Sequence, residues 1–469
     1  MRVEKSKLYS IVISIFIVGI LLRFFQINFE SYWLDEMVSF WIADPKMNFD
    51  QTIYRNSYLS QTPPLFDLIL KSFFSIFSYD PYAGRYLTFI FGVVSIPLLA
   101  FLSFEIKKDY SFLLTLFLVS TNIYLIKYSQ EARPYIFVFL LSTLNIIIFY
   151  RLDDFLNSYF KKILLIIFFI TVSIFTYSTH PFTLIILFSQ IFYFLFLKII
   201  YNKNLKLFFI SLPIIVIFYL TINYRYLLEQ LSYKEYFLNQ ENWKFYYNYY
   251  FSRFFGSKIM GLIYLSVLIF LILKLKKKVF SNEKKYLFLF ILLILSYVIP
   301  LLYGFIKTPV LTDRYIIFVL IPIFLLISNL IFEIENKNLR ILLISLILLP
   351  KIINNFIEIN YRKIFKPEFD LFFEEIKNEN VNNFIILGPN KLVILVENYI
   401  KNISNFKKNE YQVIYKKDKL INNSYVWVIC YEPINDFNCD YFDLKDNMHK
   451  ISNKKYHLLN SKLYKVKID

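Results

Sequence analysis

The stretch that decides the fold is LYSIVISIFIVGILLRFFQI, residues 8–27, followed directly by NFESYWLDEMVSFWIAD, residues 28–44. The first run is apolar over a length that lets a helix cross ~30 Å of hydrocarbon, and no small-residue cleavage site follows it. It therefore predicts an uncleaved membrane span rather than a signal peptide. The second run brings two adjacent carboxylates, Asp35 and Glu36, to the point where this span ends.

The composition of the chain indicates a multi-span membrane protein. Of its 469 residues, 57% are hydrophobic and 21% are aromatic, and the mean hydropathy is +0.49. This is far more apolar than an ordinary soluble chain of the same length. By hydropathy we expect about eleven transmembrane helices. They are predicted at residues 8–27, 82–104, 110–127, 134–150, 163–179, 181–198, 207–224, 258–273, 285–303, 314–332 and 339–356.

The net charge of +17 comes mostly from basic residues between the apolar segments. This placement favours topology signals over a nucleic-acid surface, which would interleave basic and aromatic residues along a groove. With a cytoplasmic N-terminus, every second connection is also cytoplasmic and is basic, as the positive-inside rule requires. These connections hold Lys107, Lys108, Arg151, Lys161, Lys162, Lys203, Lys206, Lys274, Lys276, Lys277, Lys278, Lys337 and Arg340. We therefore expect a multi-pass plasma-membrane protein whose alternate connections and C-terminal tail are extracytoplasmic.

A change in sequence character divides the chain into two predicted domains. We expect residues 1–360 to form a transmembrane domain, with residues 28–81 as its first outer loop, and residues 361–469 to form a small soluble domain outside the membrane. This tail carries short β-like runs, NVNNFIILGPNKLVILVENYI and NSYVWVICYE, among turns rich in Lys and Asn. The expected fold class is an α-helical polytopic membrane protein with a small C-terminal α/β domain.

Cysteine and histidine are rare in this sequence. Cys430 and Cys439 both fall in the tail, where an extracytoplasmic location would permit a disulfide, but the sequence does not decide whether they pair. The three histidines, His180, His449 and His457, have no metal-ligand spacing. We therefore expect no cofactor, and a divalent metal is compatible with the sequence but not indicated by it.

The first outer loop contains two predicted amphipathic helices, which are expected to lie in the membrane interface. The second opens at the Thr62-Pro63-Pro64 motif, and the first has apolar residues at helical spacing: Trp33, Met37, Phe40 and Trp41. Asp35 and Glu36 would then lie at headgroup depth. Two interpretations of this pair remain open: carboxylates that complement the first turn of a helix, or carboxylates of a catalytic site.

Four further polar motifs are predicted on the same face of the membrane. They are GRYLTFIFG with Arg85; IKYSQEARPYIFVFLL with Lys127, Tyr128, Glu131, Arg133 and Tyr135; FTYSTHPFTLIILFSQ with His180; and TPVLTDRYIIFVLIPIF with Asp313 and Arg314. Each also has an ordinary interpretation: a snorkelling Arg85, a Lys127–Glu131 pair beside a span, or a structural His180. Ionisable residues that gather at span ends on one side commonly mark a cavity, and guanidinium groups suit phosphate.

Taken in order, these motifs carry a resemblance that covers roughly residues 1–335. WLDEMVSFW, TPPLFDLIL, GRYLTFIFG, YSQEARPYIFVFLL, YSTHPFTLIILFSQ and TDRYIIFVLIP resemble the dolichyl-phosphate-mannose–protein mannosyltransferase-related family. The resemblance implies a C-type glycosyltransferase fold, catalysis on the extracytoplasmic side and a polyprenyl-phosphate sugar as donor. It also implies that Asp35 matches the family's catalytic carboxylate and Glu36 its acidic neighbour. The His-Pro-Pro of many relatives reads Thr62-Pro63-Pro64 here, and the tail has no match.

The resemblance implies a glycosyltransferase that moves a sugar to an acceptor hydroxyl, with inversion by direct displacement. Asp35 is assigned as the general base, and Glu36 would orient the acceptor or Asp35. The donor phosphate would contact Arg133 and Arg314, with Arg85 a weaker candidate. The other substrate-binding candidates are Tyr128, Glu131, Tyr135, His180 and Asp313.

Two alternatives stay open from the sequence. A polysaccharide polymerase or ligase with a lipid-diphosphate donor would also have many spans and a large outer loop, and a transporter would have polar residues at the membrane midplane. No nucleotide-binding glycine motif is present. The expected partners are a polyprenyl-phosphate sugar, membrane lipids and a lipid, glycan or protein acceptor, and no nucleic acid. The sugar and the acceptor cannot be read from the sequence.

Overall fold

The structure of this chain is a computed structural model. It describes residues 2–60, 62–154, 159–201, 206–232, 250–276, 284–306, 312–362, 366, 383–387, 390–402, 412–414, 425–430, 448–454 and 462–468. By contacts these residues form two compact units. Unit 1 consists of residues 1–25, 61–66 and 86–362, and unit 2 consists of residues 26–60, 67–85 and 363–469.

Helices make up nearly all of the described chain before residue 362. In chain order they are α1 (Arg2–Phe24), α2 (Leu34–Ile42), α3 (Phe49–Leu59), α4 (Leu65–Ile76), α5 (Pro81–Ile106), α6 (Ser111–Thr121), α7 (Ile123–Ser129), α8 (Tyr135–Asp154), α9 (Tyr159–Tyr177), α10 (Leu184–Tyr201), α11 (Lys206–Ile222), α12 (Tyr224–Ser232), α13 (Tyr250–Arg253), α14 (Lys258–Lys274), α15 (Lys284–Ile306), α16 (Leu320–Phe332) and α17 (Lys337–Asn360). Two 3₁₀ segments, Pro181–Thr183 and Asp313–Val319, precede α10 and α16.

The predicted fold class is confirmed, and every predicted apolar segment falls on a helix. Among the described residues, six helices are long and apolar enough to cross a membrane. The pair α6–α7, bent by 54°, raises this number to seven if it is one span, and three shorter apolar helices lie in the regions of α9, α10 and α11. The multi-pass architecture therefore follows directly from hydropathy.

Helix α16 lies in the core of unit 1. Residues Leu320–Ile331 are buried throughout, and all of them are apolar except Ser328 and Asn329. A helix this apolar lies either in a protein core or in a bilayer, and here it is surrounded by protein. Its one amide, Asn329, is also buried, and its Oδ1 accepts a hydrogen bond from the Ser103 hydroxyl at 3.0 Å. Ser103 in turn accepts one from Thr115 at 2.9 Å. This chain of hydrogen bonds satisfies polar groups that hydrocarbon would leave unpaired.

The bend between α6 and α7 is stabilised by side chains from distant helices. The buried Arg23 guanidinium of α1 donates to the carbonyls of Val119 and Ser120, at 2.8 and 2.9 Å. The Asn355 amide of α17 donates to the Thr121 carbonyl at 2.8 Å. These are carbonyls that a helix end leaves without intrahelical partners. The break in this predicted span is therefore a built feature of unit 1.

Asn122 starts the second half of the bent pair. Its Oδ1 accepts from the backbone N–H of Leu125 at 2.9 Å, an N-cap bond, and its Nδ2 donates to the Phe254 carbonyl at 2.8 Å. Where α7 ends, the Gln130 amide donates to the carbonyls of Arg23 and Phe25 at 2.9 and 2.8 Å. Both ends of α7 are thus held, which positions the polar hairpin that follows it.

Unit 2 combines the first loop helices with the C-terminal strands. The strands are β1 (Asn383–Leu387), β2 (Gln412–Ile414), β3 (Tyr425–Cys430), β4 (Met448–Lys454) and β5 (Lys462–Ile468), and helix α18 (Asn390–Asn402) follows β1. They form one mixed sheet in the order β2-β1-β3-β5-β4, in which β1 is parallel to β2 and β3 while β5 is antiparallel to β3 and β4. The described tail therefore contains both strands and a helix, and its separation from the first loop as an independent domain stays a prediction.

One detail of the tail differs from the sequence prediction. The first β-like run is a strand only in its first half, and its second half is α18. Leu395 and Tyr399 are buried four residues apart, which is the spacing of a helix face, so the helical period prevails over the β-branched residues of this run. Cys439 lies outside the described residues, and a Cys430–Cys439 disulfide stays a prediction.

Candidate active site

Glu36 lies at the centre of a buried group of charges in unit 2, which we call the loop cluster. It consists of Glu30, Glu36, Arg85 and Lys366. Glu36 is 0% exposed, and its two carboxylate oxygens accept hydrogen bonds from Nε and Nη2 of Arg85 at 2.9 and 2.8 Å. This is the bidentate geometry that makes guanidinium–carboxylate pairs strong and directional.

Arg85 has an acceptor for each of its N–H groups. Besides its two bonds to Glu36, it donates through Nη1 to the carbonyls of Ile27 and Glu30, at 3.3 and 2.8 Å, and through Nη2 to that of Ser31 at 3.2 Å. A guanidinium has five such donors, so the set is complete. This geometry favours an anchor for the start of the loop over the phosphate-binding role expected from the sequence.

Lys366 is a member of the loop cluster that the sequence did not indicate. Its Nζ lies 3.2 Å from Glu36 Oε2 and 3.8 Å from Glu30 Oε2, and 5.5 Å from the centre of the Trp33 ring. It is separated from Glu36 by 330 positions. With Arg85 it gives the cluster two cations for two buried carboxylates, which is the pairing that buried charges require.

Asp35 differs from Glu36 in its surroundings although the two are neighbours. It lies in the first turn of α2, and it is partly exposed while Glu36 is buried. The N-cap of α2 is Trp33, whose side chain makes no capping bond, so Asp35 is not the cap residue itself. Adjacent helical positions point about 100° apart, which lets one carboxylate anchor the helix and the other face a solvent-accessible space.

The remaining predicted residues come together in unit 1, in a group that we call the hairpin cluster. It contains Tyr128, Glu131, Arg133, Tyr135, His180, Asp313 and Arg314, together with Tyr315 and Arg253. The guanidinium carbons of Arg133 and Arg314 lie 5.9 and 5.5 Å from the centre of the Tyr135 ring. These distances are in the range of cation–π contacts. Segments far apart in sequence therefore converge on one tyrosine.

Aromatic contacts connect the other members of the hairpin cluster. The Tyr128 and Tyr135 ring centres are 5.1 Å apart, and the His180 ring lies 4.8 Å from Tyr315 and 6.2 Å from Tyr135. Tyr128 also lies in the electrostatic field of Asp313, Glu131 and Arg314. All predicted members of this cluster are buried or partly buried, which separates them from bulk water.

Arg253 and Tyr315 are the members that the sequence prediction missed. Arg253 Nη1 lies 3.5 Å from Asp313 Oδ1, and about half of its side chain is exposed. Tyr315 directly follows Arg314 in the TDRY motif, so its position next to a predicted site residue was a usable signal. Arg253 had a weaker signal, since it falls near the end of the connection between the predicted spans 207–224 and 258–273.

His180 is held by a short local network. It is the N-cap residue of the 3₁₀ segment Pro181–Thr183, and its Nδ1 accepts a hydrogen bond from the Phe182 N–H at 3.3 Å. Thr183 donates its hydroxyl to the His180 carbonyl at 2.6 Å. Burial lowers the pKa of His180 to about 3, with a further contribution from the positive charges of Arg133 and Arg314. The imidazole is therefore neutral at physiological pH.

The described side chains include no group of three or more His, Cys, Asp or Glu residues that could hold a metal ion. A divalent metal stays compatible with the sequence, as expected from its residues.

The fold with these two clusters is that of the C-type integral-membrane glycosyltransferases. Two solved proteins show the similarity, and both are polytopic membrane proteins of this fold. ArnT from Cupriavidus metallidurans in the apo state has a TM-score of 0.63 and 7% identity, over 99% of this chain and 98% of ArnT. The same protein bound to undecaprenyl phosphate has a TM-score of 0.60 and 8% identity, over 97% of each chain.

The second similar protein is the oligosaccharyltransferase AglB from Archaeoglobus fulgidus, solved with an inhibitory peptide and a dolichol-phosphate. Its TM-score is 0.51 at 10% identity, and 85% of this chain matches 60% of AglB. This chain thus spans about 60% of the length of the oligosaccharyltransferase, whereas it spans nearly all of ArnT. No protein-family profile and no curated protein matches the sequence. The narrower resemblance to the mannosyltransferase-related family stays a prediction.

Proposed function

We propose that this protein is an integral-membrane glycosyltransferase that moves a sugar from a polyprenyl-phosphate donor to an acceptor hydroxyl on the extracytoplasmic side. The observation that carries the proposal is the hairpin cluster, in which Arg133 and Arg314 meet around Tyr135. Its described charged side chains are the guanidinium groups of Arg133, Arg253 and Arg314 and the carboxylates of Glu131 and Asp313. With His180 neutral, one positive charge is in excess. This excess matches the single negative charge of a polyprenyl-phosphate sugar, which is a phosphodiester.

The fold supports the same class of donor. ArnT binds undecaprenyl phosphate in one of its structures, and AglB binds a dolichol-phosphate. Both ligands are polyprenyl phosphates. The hairpin cluster therefore suits the same class of ligand that these two proteins of the fold bind. The identity to both proteins is too low to transfer a sugar or an acceptor to this chain.

In the proposed reaction the acceptor oxygen forms a bond to the anomeric carbon while the bond from that carbon to the phosphate oxygen breaks. Asp35 takes the hydroxyl proton as general base, because it is the partly exposed carboxylate of the pair. The electron pair of the broken bond stays with the departing polyprenyl phosphate, whose growing charge Arg133 and Arg314 would stabilise. Attack opposite the leaving group inverts the anomeric centre.

Glu36 and Arg85 serve the fold of the loop in this proposal. In the loop cluster, Glu36 is paired with two cations. The role of Glu36 is therefore to orient α2, which in turn orients Asp35. Among the three arginines named as phosphate ligands, the contacts of Arg85 favour the anchor role. The proposed phosphate contacts are therefore made by Arg133 and Arg314, with Tyr128, Tyr135 and Asp313 shaping the binding space.

The test is transfer of labelled sugar by the purified full chain in liposomes. Polyprenyl-phosphate sugars and the matching lipid-diphosphate sugars are supplied separately with a membrane extract of the source cell as acceptor mixture. We expect release of sugar from the phosphate donor, and loss of this activity in Arg133→Ala and Arg314→Ala. Arg→Lys at each position should restore part of it, because an ammonium replaces a planar fork. Transfer from the diphosphate donor alone would favour the polymerase or ligase alternative.

A further inference from the structure

His180 is the one histidine of the hairpin cluster, and its geometry defines which ring nitrogen carries the proton. Its Nδ1 accepts the Phe182 N–H, so Nδ1 has no hydrogen. A neutral imidazole with an unprotonated Nδ1 is protonated at Nε2, which makes Nε2–H a hydrogen-bond donor. The network around Thr183 and Pro181 holds the residue in this orientation.

The surroundings of the ring explain why it stays neutral. His180 is 2% exposed, and the charged groups that act on it are the guanidinium groups of Arg133 and Arg314. The aromatic residues next to the ring are Tyr135, Phe182 and Tyr315, none of which carries a negative charge at physiological pH. Among the described residues, the charged groups that act on the ring are two cations and no carboxylate, so a doubly protonated, positively charged ring is disfavoured.

Nε2–H makes no hydrogen bond to any residue in the described part of the chain. It belongs to a side chain that is 2% exposed and lies in the electrostatic field of two guanidinium groups. The polar groups of buried side chains are mostly paired in folded proteins. Because the region is positive, the favoured partner is an anionic oxygen. An acceptor carried by an uncharged ligand would leave the excess charge of the cluster without compensation.

We infer that His180 donates a hydrogen bond through Nε2–H to a phosphate oxygen of the lipid donor bound between Arg133 and Arg314. This inference rests on the proposed function for the identity of the donor, and it adds a ligand-binding residue whose contribution is directional rather than ionic. A neutral donor orients the phosphate without raising the charge of the site. The cluster then keeps a single positive excess, which suits a phosphodiester.

The test uses nuclear magnetic resonance of the full chain in detergent, labelled with ¹⁵N only in histidine. The chain has three histidines, so the His180 signals can be assigned by their loss in His180→Gln. At pH 7 we expect His180 to be in the neutral form with the proton on Nε2. A protonated ring, or a proton on Nδ1, would overturn the inference before any ligand is added.

Ligand titrations follow on the same sample. A short-chain prenyl phosphate should shift the Nε2–H signal, and the matching prenyl alcohol should not. An equal response to inorganic phosphate would show a site for free phosphate and would overturn the assignment to a lipid. No response to the prenyl phosphate, at concentrations where a separate binding measurement shows saturation, would overturn it as well.

Two variants separate the hydrogen bond from the packing of the ring. His180→Gln keeps a neutral N–H donor and should bind the prenyl phosphate within a few-fold of the parent protein, whereas His180→Leu should weaken binding by about 10- to 100-fold. Equal binding by both variants would refute the inference. These readouts do not depend on sugar transfer. If the prenyl phosphate binds as expected but no sugar moves, the proposed function fails and this binding role remains.

Discussion

Glu36→Gln should mainly reduce stability and Asp35→Asn should mainly reduce sugar transfer, although the two residues are adjacent. Glu36 accepts two hydrogen bonds from Arg85 and one from Lys366, at 2.8 to 3.2 Å, and is fully buried. A glutamine keeps the shape but removes the charge, and its NH₂ group faces a cation. Removing one partner of a buried ion pair costs about 3–5 kcal/mol, because the other charge stays buried without compensation. We expect a large loss of stability.

Asp35→Asn removes a carboxylate that is partly exposed, whereas Glu36 is buried. Its stability cost should stay within about 1 kcal/mol, the range of first-turn dipole effects. Sugar transfer, in contrast, should fall by ~10²–10⁴-fold, because an amide cannot take the acceptor proton. Glu36→Gln therefore tests the anchoring role of Glu36, and Asp35→Asn tests the role of Asp35 as general base.

Thermal unfolding of the purified variants in detergent measures the loss of stability. Transfer assays at a temperature where each variant is folded measure the loss of activity. The matched control is Glu397→Gln in α18, since Glu397 pairs with the half-exposed Lys401 at 2.5 Å. An exposed pair of this spacing contributes only about 0.3–0.5 kcal/mol. If Glu36→Gln unfolds at the same temperature as Glu397→Gln, or if Asp35→Asn is the less stable of the two neighbours, the division of roles is wrong.

Two further predictions concern packing and topology. Gly92→Ala should lower the free energy of unfolding by about 1–3 kcal/mol, because a Cβ there would lie 2.1 Å from Ser129 Oγ and 2.7 Å from Ser129 Cβ. Thermal unfolding measures this loss. The double variant with Ser129→Ala should recover part of it. A cysteine introduced at Asn402, at the end of α18, should react with an impermeant reagent on intact cells, as should one at Asn422, which lies outside the described residues. Labelling only after the membrane is opened would contradict the positive-inside assignment.

The helices of this protein could be predicted from hydropathy because a membrane span is a local property. Twenty apolar residues commit the chain to a helix whatever lies elsewhere. The bend in the predicted span 110–127 could not be seen in this way. It depends on Arg23 and Asn355, which reach the carbonyls at the end of α6 from positions 97 and 234 residues away. Such long-range partners leave no mark in a hydropathy window.

The structure brings several candidate residues together, and their roles stay predictions. Charged and aromatic residues at span ends were sufficient to identify Tyr128, Arg133, His180 and Arg314, which the structure brings into one cluster. For Arg85 the sequence favoured phosphate binding with a snorkelling side chain as the alternative, and the structure instead surrounds it with acceptors. The chemistry of a charged group depends on its partners, and Lys366 shows that a partner can come from a segment with no motif.

The kind of contact that each arginine makes distinguishes anchoring from binding. Arg85 has an acceptor for all five N–H groups: three backbone carbonyls and the two carboxylate oxygens of Glu36, none of which can move without unfolding the loop. Arg133 and Arg314 instead lie against the face of Tyr135, a contact that a cation can keep while its planar edge turns to a ligand. The carbonyls and the carboxylate around Arg85 hold the start of the loop in place, whereas a guanidinium that lies over a ring face can bind a phosphate with its edge. On this argument, a substitution at Arg85 should act first on stability and a substitution at Arg314 first on donor binding.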